Sequence, residues 1–129
     1  STNIGDIIQI VKFKSNIAFI NEAIGNYQLA IKNLKQLNTF IDNNESYFTK
    51  QQFNTVKSSN NLTLAASYEG WYMKNQSPMY LLDSAAYFYK KTVSYSQNLP
   101  INNIKAIKLN TIILAKVIQP CTKVKLKAK

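Results

Sequence analysis

Apolar side chains recur along the first part of the chain with unbroken regularity. Ile10, Phe13, Ile17, Ile20, Ile24, Tyr27, Ile31 and Leu34 follow one another at steps of 3, 4, 3, 4, 3, 4 and 3. That spacing brings them to one edge of an α-helix. It predicts a single helix from about Ile4 to Ile41, roughly 50 Å long at 1.5 Å per residue, with this edge turned inward. Ala23, Ala30 and Leu37 widen the edge, which suits a helix inside a bundle. The flanking positions hold Lys14, Asn21, Gln28 and Lys35 on one side and Gln9, Asn16, Ala23 and Ala30 on the other, with no charge pattern for a paired coiled coil. Gly25 falls on the outer face, where a glycine weakens a helix by about 1 kcal/mol without ending it.

Beyond Ile41 the pattern is interrupted several times. Asp42-Asn43-Asn44-Glu45 reads as a stop and restart, with Asp42 and Glu45 at capping-box spacing. A helix through Phe48, Phe53 and Val56 is expected next. Ser58-Ser59-Asn60-Asn61 predicts a break or kink, because these side chains compete for backbone hydrogen bonds. A helix over about Leu62–Lys74 follows. Ser77 and Pro78 are suited to the cap and the first turn of another, running to about Tyr95. This one has two adjacent seams, Leu81, Ala85, Phe88, Thr92, Tyr95 and Leu82, Ala86, Tyr89, Val93, and so a wide buried face. Pro100 opens a last helix with Ile104, Ile107, Thr111, Leu114 and Ile118 inward, and Pro120 ends it.

In the tail, Val124, Leu126 and Ala128 alternate with Lys123, Lys125, Lys127 and Lys129. Period two is a strand pattern, here read as an extended basic tail able to add to a partner or to another copy. The expected architecture is all-α: an antiparallel up-down bundle of four to five helices over residues 1–119, with residues 120–129 as the tail. Leu64, Ala65, Tyr68, Ala85, Tyr89 and Pro100 faintly resemble one partial tetratricopeptide helix pair. The 17 residues from Tyr68 to Ala85 exceed the roughly nine of that repeat. The likeness supports no family membership, but it keeps stacked helical hairpins as an alternative packing.

Composition then narrows the chemistry. The 129 residues contain no His, and all 16 basic residues are Lys. A His-based triad and the usual Cys/His zinc or copper sites are therefore excluded. So is the bidentate Arg fork for carboxylate, phosphate or guanine. The one Cys, Cys121, cannot form an internal disulfide, and its simplest oxidised use is a bridge between two copies. Among the six acids only Asp42 and Glu45 have helical pair spacing. No pair is placed for acid–base work, and no cofactor motif occurs. The sequence reads as non-enzymatic.

Charge is lopsided. Residues 1–83 carry seven Lys and all six acids, whereas residues 84–129 carry nine Lys and no acid. Such asymmetry draws an anionic partner to one end of a molecule. The candidate contacts are Lys90, Lys91, Lys105, Lys108, Lys116, Lys123, Lys125 and Lys127. Beside them stands an aromatic cluster with Tyr68, Trp71, Tyr72 and Tyr87, suited to a groove that stacks bases or holds a peptide. An acidic protein surface is the expected partner. A nucleic acid bound through its phosphates, without sequence preference, is the alternative. Insertion into a membrane is disfavoured: no run of 18 apolar residues occurs, and no helix pairs a Lys-rich face with a bulky aromatic one.

Overall fold

A computed structural model describes residues 4–99 of the chain. Four α-helices pack together: α1 (Ile4–Ala23), α2 (Tyr27–Asn43), α3 (Lys50–Asn75) and α4 (Tyr80–Ser96), with one 3₁₀ turn at Glu45–Tyr47. Among the described residues there is no strand. No helix among them is long and apolar enough to cross a membrane. The expected last helix, the basic tail and Cys121 lie outside the described residues.

The long opening helix is in fact two. Gly25 takes a left-handed conformation at φ 90°. The Asn26 amide then reaches back to the Asn21 carbonyl at 2.7 Å and the Gly25 amide to that of Glu22 at 3.1 Å. This is the hydrogen-bond pair of a glycine-terminated helix end. Gly25 is therefore a terminator and not a tolerated interior residue. The regular spacing persists across the turn because α2 begins its own seam in the same count, through Ile31 and Leu34.

The inward edge changes with it. On α1 the buried side chains are Ile7, Val11 and Ala18. Ile10, Phe13, Ile17, Ile20 and Ile24 are exposed. At 100° per residue the exposed set lies roughly 120° around α1 from the buried one. Only in α2 does the expected edge face the core, at Ile31 and Leu34, with Ala30, Leu37 and Ile41 beside them.

α3 is uninterrupted for 26 residues. It starts at Thr49, whose hydroxyl accepts from the Gln52 amide while the Gln52 side chain accepts from the Thr49 amide. The capping box is thus Thr49/Gln52 instead of Asp42/Glu45. Ser58, Asn60 and Asn61 cause no break, and all three are buried mid-helix. Asn61 donates to the Lys57 carbonyl at 2.7 Å and Ser67 to that of Thr63 at 2.7 Å. Bonding one turn back satisfies Asn61 and Ser67 without leaving the helix. α4 starts at Tyr80 rather than at Pro78, behind Met79.

Two clusters form the core. The larger joins Ala18, Ile31, Leu34, Leu64, Ala65, Tyr68, Tyr72, Leu81, Leu82, Ala85 and Tyr89. The smaller, at the other end, joins Ile7, Val11, Leu37, Ile41 and Phe48, with Ile8, Phe53 and Val56 against it. α3 and α4 share the most extensive interface. Both expected seams of α4 contribute, through Leu81, Ala85 and Thr92 from one and Leu82 and Tyr89 from the other.

Candidate functional site

α3 is an unusually polar helix for its central place. Asn54, Lys57, Ser58, Asn60, Asn61, Thr63 and Ser67 are all buried. A buried polar group has to find a partner or lose its hydration uncompensated. Lys57 finds one outside its own helix. Its ammonium lies 2.8 Å from Asp42 Oδ1 at the end of α2, with the lysine side chain 5% exposed and the aspartate 53%. The same ammonium sits 5.5 Å from the ring centre of Tyr95 on α4 and 5.9 Å from that of Phe53. One cation thereby ties three helices together.

Around it opens a groove of about 350 Å³ between α2, α3 and α4. Lys35, Asn38, Thr39 and Asp42 form one wall, Lys57, Asn61 and Leu64 the floor, and Tyr87, Phe88, Lys91 and Tyr95 the other wall. Two further lysines rest on rings. Lys35 Nζ lies 5.5 Å over Tyr68, and Lys91 Nζ lies 5.6 Å over Tyr87. Tyr68 stacks on Phe88 at 5.6 Å with planes 4° apart, and Tyr87 meets Phe88 edge-on at 5.0 Å. The aromatic faces fix the ammonium groups without neutralising them. Three lysines thus line the groove against one carboxylate. Elsewhere on α3, Ser58 Oγ and Asn60 Nδ2 are buried without a hydrogen-bond partner among the described residues. On the α2 wall of the groove, Asn38 Oδ1 is also buried without such a partner.

Tyr87 and Lys91 stand in this groove, and Tyr68 reaches it from beneath through Lys35 and Phe88. Lys90 is exposed on α4 next to it. Tyr72 is a core residue. Trp71, half-buried against the core, lines a separate open hollow with Lys74 beside the Gly25 turn. Lys105, Lys108, Lys116, Lys123, Lys125 and Lys127 lie outside the described residues. Sequence reasoning missed Lys35, Asp42 and Lys57, which come from helices distant along the chain. A faint signal existed for Lys57: it precedes a run of small polar residues, as a buried cation in a polar seam would.

A second polar cluster lies in the core. Tyr89, 1% exposed, has its hydroxyl proton held far more tightly than usual. Burial is the main cause, followed by the charges of Glu69 and Glu22 and the hydrogen bond to Glu69. Burial also raises Glu22. None of these three residues lines the groove, and the shifts of Tyr89 and Glu22 favour their neutral forms. Among the described residues no group of three or more His, Cys, Asp or Glu is placed to hold a metal ion.

No family model matches the chain, and no curated protein or solved structure matches it either.

Proposed function

We propose that the protein is a non-enzymatic helical binding module with an up-down bundle topology. Its groove between α2 and α4 takes a carboxylate-bearing segment of a partner protein. The observation that carries this reading is the convergence of Lys35, Lys57 and Lys91 on one groove that holds a single carboxylate, Asp42. Ammonium groups held over aromatic rings are positioned before a ligand arrives, so binding loses less side-chain entropy. The many lysines after residue 84 supply long-range attraction, which speeds encounter more than it strengthens the complex.

The test compares a short glutamate-rich peptide with a single-stranded oligonucleotide, each binding the full chain, by fluorescence anisotropy. Peptide affinity is expected to fall about tenfold in Lys35→Ala/Lys91→Ala, on the order of 0.7 kcal/mol per rim contact. It should change only modestly with salt. Equal affinity in the double variant would overturn the reading. Preferential binding of the oligonucleotide, with a loss of roughly 10³–10⁵ between 50 and 200 mM salt, would replace it with phosphate-directed nucleic-acid coating.

A further inference from the structure

α1 has two apolar faces, and the described core uses only one of them. The other is the row Ile10, Phe13, Ile17, Ile20 and Ile24, exposed by 40, 66, 40, 56 and 67%. None of the five joins either core cluster. Ile24 follows the last residue of α1, yet its amide still bonds the Ile20 carbonyl at 3.0 Å. The row therefore keeps one helical line for roughly 21 Å. Beside it, Ile17 shares an open groove of about 440 Å³ with Leu37 and Phe40 of α2. A continuous apolar surface of this kind is rare on a protein that works alone.

We infer that the row is the contact between two copies of the chain, α1 against α1 in antiparallel order about a two-fold axis at Ile17. Three observations select this occupant. First, the row is complementary to its own reverse. A two-fold contact pairs the same surface with itself, so whatever residue i meets must meet residue i in return. Around Ile17, Ile10 and Ile24 stand seven residues away on either side, and Phe13 and Ile20 stand four and three away. In a reversed copy Ile10 comes level with Ile24, Ile17 with itself, and Phe13 with Ile20 to within roughly 1.5 Å, the rise of one residue. Each Phe13 ring then faces an isoleucine instead of a second ring, and the two helix dipoles oppose. Second, the area suffices. At about 200 Å² for a large side chain, the exposures leave roughly 500 Å² on the row. Two rows bury about 1,000 Å², where specific interfaces begin, and Phe40, 39% exposed at the edge of the row, adds to it. Third, the charge permits it. The chain carries a net charge of +10, which drives copies apart. α1 balances Lys12 and Lys14 with Asp6 and Glu22, so contact here brings neutral segments together. The groove between α2 and α4 takes no part in this contact.

The experiment is sedimentation equilibrium on the full chain carrying Cys121→Ser, which removes the only thiol. The expected mass is twice 14.7 kDa. Ile17→Asp sets two carboxylates face to face on the axis and should raise the dissociation constant at least roughly a hundredfold, with helical circular dichroism unchanged. An equimolar mixture of Ile17→Asp and Ile17→Lys should restore the dimer. Phe19→Asp changes a residue that is 60% exposed but lies roughly 140° around α1 from the row, and should leave the dimer intact. Orientation is read by mixing Ile10→Cys and Ile24→Cys proteins under air: the mixed disulfide should form in preference to either self-linked product. A dimer that survives Ile17→Asp, or one that Phe19→Asp abolishes equally, would overturn the proposal, and so would preferential self-linking of Ile10→Cys. A monomeric parent would also overturn it. Slow thiol labelling of Ile17→Cys would then assign the row to the remainder of the same chain, and fast labelling to a different protein.

Discussion

At the scale of single residues, Tyr89 shows how burial and charge combine. Its ring fills the centre of the larger core cluster, and its hydroxyl donates to Glu69 with Glu22 also near. Ionising it would place a phenolate in the core beside two carboxylates, and the folded state resists this strongly. In the unfolded chain the same group ionises near its ordinary value of 10.0. The folded protein therefore binds more protons than the unfolded one above pH 10, and stability falls as pH rises. One proton corresponds to about 1.4 kcal/mol per pH unit. Tyr89→Phe should remove that share of the alkaline slope in urea titrations between pH 9.5 and 11, while costing about 1 kcal/mol at pH 7 through loss of the bond to Glu69. An unchanged slope would show that other groups set the alkaline limit.

At the scale of elements, the least legible feature was the end of α1. Gly25 has the left-handed backbone that side chains resist, and a Cβ there would meet nothing within 4 Å. Gly25→Ala should then cost about 1–2 kcal/mol from conformation alone. Gly25→Asn should cost less, because asparagine tolerates this backbone. Thermal melts of the two variants check the order. The spacing of apolar residues concealed the turn, since Ile24, Tyr27 and Ile31 keep the helical count while the chain changes direction. A glycine followed by asparagine was the available signal, and periodicity outweighed it. The opposite error occurred in α3, where Ser58–Asn61 suggested a break on local preference. Packing against α2 and α4 overrides that preference, and within the run the Asn61 side chain bonds back to its own helix. α4 was legible because two full seams leave little freedom of orientation. In the groove, Tyr87 and Lys91 were visible as a basic, aromatic stretch. Lys35, Asp42 and Lys57 were not, because only tertiary packing brings α2 and α3 beside them.

At the scale of the whole molecule, Lys57 places stability and the proposed binding in opposition. Its ammonium is buried among Asp42, Phe53 and Tyr95, on three helices. Removing one partner of such a pair differs from replacing the buried member. Asp42→Ala leaves an ammonium group in the interior with two rings but no counter-charge, and should cost about 1–3 kcal/mol. Lys57→Met removes the buried charge and keeps an unbranched side chain against the same rings, where sulfur makes its own aromatic contact. The released Asp42 is half-exposed and recovers its hydration. Lys57→Met should therefore unfold in urea within about 1 kcal/mol of the parent, or be more stable. If the groove binds carboxylates, the same variant should lose affinity for the glutamate-rich peptide even though its fold is intact. A core position that is more stable without its charge, and less able to bind without it, is what a buried lysine retained for recognition requires. If Lys57→Met instead proved as costly as Asp42→Ala and bound the peptide normally, the cation would be a structural tie between helices, and the groove would lose its central contact.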